Sequence, residues 1–203
     1  MTENREEGNV MDQHGPEPAL MIRGELVGLG PLRRDLASTF QRWMNDLGVV
    51  RTLAQPRRPM TVDAEHAWLD GALTSSDAIF TIYELDTLRP IGNTGLENIH
   101  ATNGTCEFGI VIGERDAWGK GHGTEATRLM LSYAFDVLGL HSVRLAVYAN
   151  NERAIRAYER AGFRRAGRIR GAQRIGRARI DEIMMDAVVD DFEPSFLHEI
   201  MHP

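Results

Sequence analysis

Hydrophobic positions change period several times along the chain, and each change marks an element. Over residues 20–29 apolar side chains recur beside Gly24, Gly28 and Gly30, which predicts a first strand. Leu36, Phe40, Trp43 and Met44 then share one face of a helix over about 33–47. A second helix starts near Val62, where Thr61 or Asp63 can cap it and Ala64, Ala67, Trp68 and Leu73 supply its buried side. Strands follow at 79–85, 91–99 and 106–112, separated by turn residues at 86–90 and 103–104, as in an antiparallel meander. The period then lengthens. Ala126, Leu129, Met130, Tyr133, Ala134, Val137 and Leu138 keep the i, i+3, i+4, i+7 spacing of a buried amphipathic helix that ends at Gly139. A strand at 143–149, a helix at 151–161 stopped by Gly162, and a hairpin over 163–189 complete the pattern.

The order is that of an α/β (α+β) chain with a mixed sheet flanked by helices. Strand 106–112, helix 123–138 and strand 143–149 form a strand-helix-strand crossover, which puts the helix N-terminus at the carboxyl edge of the sheet, where ligands bind.

Composition narrows the picture. With 203 residues, 42% apolar and 26% charged, the chain suits one packed domain, expected over 19–190 between a disordered tail at 1–18 and a C-terminal tail at 191–203. Basic residues number 23 against 29 acidic, a net charge of −6 that argues against a nucleic-acid partner. No run approaches the roughly 18 apolar residues of a membrane span, so no membrane partner is expected. Cys106 has no second cysteine to bond, which excludes an internal disulfide or a CxxC site and points to a reducing, cytoplasmic setting.

At the carboxyl edge, Trp118-Gly119-Lys120-Gly121-His122-Gly123-Thr124-Glu125-Ala126 alternates glycines with polar residues just before the helix. Such a loop curls several N–H groups toward one anion, helped by the helix dipole. A phosphate or pyrophosphate fits, although spacing alone leaves a plain tight turn open. Gly121, Gly123 and Ala126 meet the loose dinucleotide form GxGxxG/A, but the next strand ends in Ala149-Asn150-Asn151 without an acid for a ribose. Lys120 precedes glycine rather than Ser or Thr, so no ATP-type P-loop is present.

That loop, the strand Glu107-Phe108-Gly109-Ile110-Val111-Ile112, and Asn151-Glu152-Arg153-Ala154-Ile155 with Tyr158 and Gly162-Phe163 together resemble the GNAT superfamily of N-acetyltransferases. The wording is closest to the branch of ribosomal-protein N-terminal acetyltransferases, and the likeness runs over about 26–189. Trp118, Gly121 and Gly123 fill the family's R/Q-x-x-G-x-G/A positions, with Trp118 departing from Arg or Gln.

The resemblance implies a twisted, mostly antiparallel sheet of about seven strands with about four helices, and a splayed pair of central parallel strands. It implies acetyl-CoA as acyl donor, its pyrophosphate held by the loop amides of about Gly119, Lys120, Gly121, His122, Gly123 and Thr124, with Trp118 also counted among the cofactor-binding residues. The pantetheine arm would pair like an added strand with the main chain of Ile110, Val111 and Ile112. Asn151 would contact the cofactor and Tyr158 would sit near its sulfur.

Transfer from a thioester to an amine needs a neutral amine, a polarised carbonyl and a proton for the thiolate. Tyr158 is expected as the acid, though its helical spacing with Ile155 also fits a core aromatic. Glu107 shares a strand face with Gly109 and Val111 and is expected as the base, or else as a solvated carboxylate. A backbone N–H near Val111 or Ile112 would polarise the carbonyl. His122 touches phosphate or fills a solvent-facing position.

Two further patterns stand apart. His198-Glu199-Ile200-Met201-His202 fits the HExxH zinc signature, yet only Pro203 follows, so no third ligand is available and no metal is expected. Seven arginines and no acid occupy 164–179, suited to an acidic substrate, an adenosine phosphate, a partner or plain solvent. The expected function is N-acetyl transfer from acetyl-CoA to a primary amine, on a small molecule, protein N-terminus or lysine, by direct attack in a ternary complex. The alternatives are a CoA-binding sensor without turnover, or another donor such as succinyl-CoA. A homodimer is compatible with this reading.

Overall fold

The computed structural model describes residues 17–53 and 58–202; most of the expected N-terminal tail lies outside them. In chain order the elements are β1 (Ile22–Arg23), β2 (Val27–Pro31), α1 (Ala37–Met44), α2 (Leu47–Val50), α3 (Val62–Thr74), β3 (Ala78–Glu84), β4 (Pro90–His100), β5 (Thr105–Ile112), α4 (His122–Ser132), β6 (Ser142–Tyr148), α5 (Glu152–Ala161), β7 (Arg164–Ile175), β8 (Ala178–Val188) and α6 (Phe196–Met201). They build one mixed sheet of order β1-β2-β3-β4-β5-β6-β8-β7, in which β5 and β6 form the parallel pair.

The architecture agrees with the expected α/β class, with eight strands among the described residues where about seven were expected. The extra strand comes from the start of the chain. The segment 20–29 is a short hairpin rather than one strand, because Gly24 and Glu25 turn the chain so that Ile22 pairs with Leu29. The helix expected to run to Leu138 keeps α-geometry to Ser132 and then widens, with the Leu138 N–H bonding the Tyr133 carbonyl at 3.0 Å before Gly139 turns at φ +63°. The last residues carry a helix: Ser195 caps α6, donates to Asp136 at 2.6 Å, and Leu197 joins the core.

The main core lies between the sheet and α4, where Ala126, Met130, Leu131 and Ala134 meet Leu96, Cys106, Val143 and Met185. A smaller core holds α1 to α3 through Ala37, Phe40, Trp43 and Leu69. Here one expectation fails. Of the α3 residues expected to be buried, Ala64, Ala67, Trp68 and Leu73 are all exposed, while Glu65 and Leu69 are the buried ones. The apolar stripe of α3 fails to report the core because Ala64 and Trp68 face the cavity described next.

Candidate functional site

The site begins where two strands part. β5 and β6 pair only through Thr105 with Ser142, Cys106 with Val143 and Glu107 with Arg144. Beyond that point β5 stays paired with β4 as far as Ile112, and β6 with β8 as far as Tyr148, so the strands diverge without leaving their outer partners. The gap opens into a cavity of about 690 Å³ lined by residues 108–112 and 145–148, the glycine loop, α5, and the inner faces of α1 and α3. Along that gap no strand among the described residues pairs with β5 on its β6 side, so an extended ligand can take that pairing position.

The glycine loop closes one end. Gly119 and Gly121 sit at φ +79° and +93°, where L side chains are strained, and that curl brings the chain into α4 with Gly121 as its N-cap. The first turn leaves the N–H groups of His122, Gly123 and Thr124 without intrahelical acceptors, the arrangement that holds an anion. The loop is braced from two sides. The Glu125 carboxylate accepts from the N–H groups of Glu25, Leu26 and Val27 at 2.7, 2.8 and 2.8 Å, tying α4 to the first hairpin. The Trp118 indole N–H donates to the Ile112 carbonyl at 2.8 Å, and the Arg153 guanidinium lies 3.9 Å from its ring centroid. Burial first, then the charge of Arg51, pulls Arg153 below its usual pKa, so an anion placed there would be welcome.

Ile110, Val111, Ile112, Trp118, Gly119, Gly121, Gly123, Thr124, Asn151 and Tyr158 all line this cavity. Asn151 also caps α5 by accepting from the Ala154 N–H at 3.3 Å. Lys120 is exposed and stands outside the lining. His122 overturns the solvent-facing expectation. Its side chain is 7% exposed, with Nε2 3.9 Å from Glu84 Oε1 and Nδ1 buried without a partner among the described residues. As the first residue of α4 it turns inward under the loop, which leaves its main-chain N–H as the group available to a ligand.

Tyr158 projects from α5 between Phe108 and Phe163, both ring centroids at 6.0 Å. Burial pushes its phenol up to about 12, so it keeps its proton across the physiological range. Glu107 is exposed, accepts from Asn98 Nδ2 at 3.2 Å and lies outside the cavity lining. Its cross-strand neighbour Glu97 does line the cavity, with Oε1 3.9 Å from where a Cβ on Gly109 would stand. Glu97 is exposed, as Glu107 is, but partial desolvation, then the carboxylates of Asp77 and Glu107, raises its carboxyl above the ordinary glutamate value.

Sequence reasoning missed Glu97, because counting back from the His100–Thr105 pair puts Asn98 opposite Glu107, and only a register shift between Glu97 and His100 brings Glu97 there. It also missed Glu65, a cavity-lining carboxylate beside the stripe of Ala64, Ala67, Trp68 and Leu73 expected as the buried face. Cys106 is fully buried in the core, its thiol pushed up to about 11 chiefly by burial, and it is no nucleophile.

The remaining patterns have local partners. His198 stacks on His202 and approaches Asp136, and no cluster of three metal-ligating side chains occurs among the described residues. In the arginine-rich hairpin, Arg164, Arg165 and Arg168 pair with Asp191, Glu159 and Asp181. No helix among the described residues is long and apolar enough to cross a membrane.

The chain is similar to known proteins. The acetyltransferase (GNAT) domain model matches residues 27–164. An uncharacterized N-acetyltransferase of Bacillus licheniformis is 28% identical over 113 residues, 56% of this chain and 63% of its own length. The chain spans less than two thirds of the length of the curated relatives it matches first. Among solved structures, spermidine N-acetyltransferase from Vibrio cholerae in complex with CoA and spermine is 21% identical with a TM-score of 0.76, covering 83% of this chain and 98% of its own. An acetyltransferase (GNAT family) from Bacillus anthracis is 18% identical with a TM-score of 0.73, over 83% of this chain and 98% of its own. At those identities the likeness is one of fold.

Proposed function

The chain belongs to the acetyltransferase (GNAT) domain family, and we propose that it moves an acetyl group from acetyl-CoA to a primary amine by direct attack in a ternary complex. The observation that carries this reading is the continuity of one cavity from the glycine loop, along the open edge of β5, past Tyr158 to Glu97. The residues present fit the donor. Loop and helix amides suit its diphosphate, and the vacated strand position suits its pantetheine.

In the reaction Glu97, directly or through a water, takes a proton from the acceptor ammonium. The amine nitrogen attacks the thioester carbon, the C–N bond forms and the C–S bond breaks. Tyr158 supplies a proton to the departing thiolate and is reprotonated by the second proton that the nitrogen sheds as it becomes an amide. A main-chain N–H near Val111 or Ile112 polarises the carbonyl. The burial of Cys106 supports direct attack over an acyl-enzyme.

The finer reading places the chain with the ribosomal-protein N-terminal branch, on the wording of residues 118–126, in the cytoplasm and as a homodimer. A structural neighbour is named as a spermidine N-acetyltransferase in complex with CoA and spermine, so small polyamines enter the acceptor panel beside lysine and protein N-termini. The deciding experiment measures CoA release over amine classes with acetyl- and succinyl-CoA. Release with acetyl-CoA and an amine is expected. Binding of CoA without release from any amine would favour the sensor alternative.

A further inference from the structure

The acceptor side of the cavity carries a carboxylate that the reaction above leaves unused. Glu65 stands in the first turn of α3, is only 4% exposed, and lines the same cavity as Glu97 and Tyr158. No hydrogen bond or ion pair reaches its side chain among the described residues, and burial alone holds its carboxyl above the usual range. A carboxylate removed from water without a donor is strongly disfavoured, and a leucine of similar volume would pack better there. The basic residues of the lining lie elsewhere, Arg153 and Arg160 on α5 and exposed Arg58 at the rim. Phe40 and Trp68 meet edge to face at 6.3 Å on the same wall and offer ring surface to methylenes and to a cation.

We propose that Glu65 determines acceptor specificity: it receives a second cationic nitrogen of the acceptor while the reacting nitrogen lies between Glu97 and Tyr158. The acceptor class is therefore an amine with two cationic nitrogens joined by an apolar spacer, rather than a simple monoamine. This assignment rests on the acetyl-transfer reading and deepens it. The ligand replaces the donors that the folded chain does not supply, so the same side chain that weakens the free protein strengthens the complex.

The test compares straight-chain α,ω-diamines with monoamines of equal length, in wild type and Glu65→Gln, by CoA release and by calorimetry of the diamine on CoA-loaded protein. The wild type should favour diamines by roughly tenfold or more in kcat/KM, and Glu65→Gln should close that gap by raising KM for the diamine. Because a group with a raised folded-state pKa loses its stabilising protonated form as pH rises, Glu65→Gln should also melt higher than wild type at neutral pH. A merely structural Glu65 would melt lower on substitution. Equal use of diamines and monoamines by the wild type, or a variant that keeps the preference, would overturn the assignment while leaving acetyl transfer intact. If no amine releases CoA, acetyl transfer fails and calorimetry decides: diamine binding abolished by Glu65→Gln upholds the cation site, and no diamine binding ends it.

Discussion

The two ends of the cavity are made of different materials. The donor end is main chain: a loop at positive φ, the first amides of α4 and the open edge of β5. The acceptor end is side chain: Glu65, Glu97, Phe40 and Trp68 on elements far apart in sequence. Backbone recognition needs glycines at fixed spacing and so leaves a readable signature. Side-chain recognition leaves none, because α1, α3 and β4 each contribute a few residues scattered among others that serve packing. On the proposed acetyl-transfer reading, the first end would suit any acyl-CoA and the second would choose the amine.

Substitutions at each end should separate the two. Tyr158→Phe keeps the ring packing against Phe108 and Phe163 and removes only the proton, so kcat should fall about a hundredfold with little change in KM for acetyl-CoA. An unchanged rate would mean that water protonates the thiolate. Gly121→Val forces a branched side chain to φ +93° with Leu26 Cδ1 3.1 Å from its Cβ, which at roughly 1–3 kcal/mol should weaken CoA binding by about tenfold or more in calorimetry.

Glu97→Gln should lower kcat/KM about tenfold at neutral pH. The wild-type profile should rise through a pKa above the usual glutamate value, and the variant should lose that limb. Glu107→Gln should do much less, and the reverse order would return the base to Glu107. Glu125→Ala removes three charge-assisted hydrogen bonds that brace the loop, so the melting temperature should drop by about 5 °C, from roughly 2 kcal/mol. Cys106→Ser should leave turnover standing, and its loss would revive an acyl-enzyme.

Much of the fold was legible because period reports burial wherever an element faces the core. The meander, the crossover and β8 follow that rule, whereas β7 is exposed over residues 164–170. It broke at α3, where Trp68 turns to the cavity and Glu65 is buried, since a stripe facing an empty cavity looks like one facing a core. It broke again at residues 20–29, where two strands of a tight hairpin share one apolar run. The donor loop was readable from its glycines, but His122 could not be placed, because the direction of a side chain at a helix start depends on Glu84, distant in sequence.

The account turns on main-chain groups of residues 119–124 holding the diphosphate. The most direct measurement is a calorimetric comparison of CoA with pantetheine, which shares the thiol arm and lacks the nucleotide and both linking phosphates. Binding of CoA at least about a hundredfold tighter than pantetheine, with most of the difference lost in Gly121→Val, is the predicted result. Equal affinities, or no affinity for CoA, would contradict it.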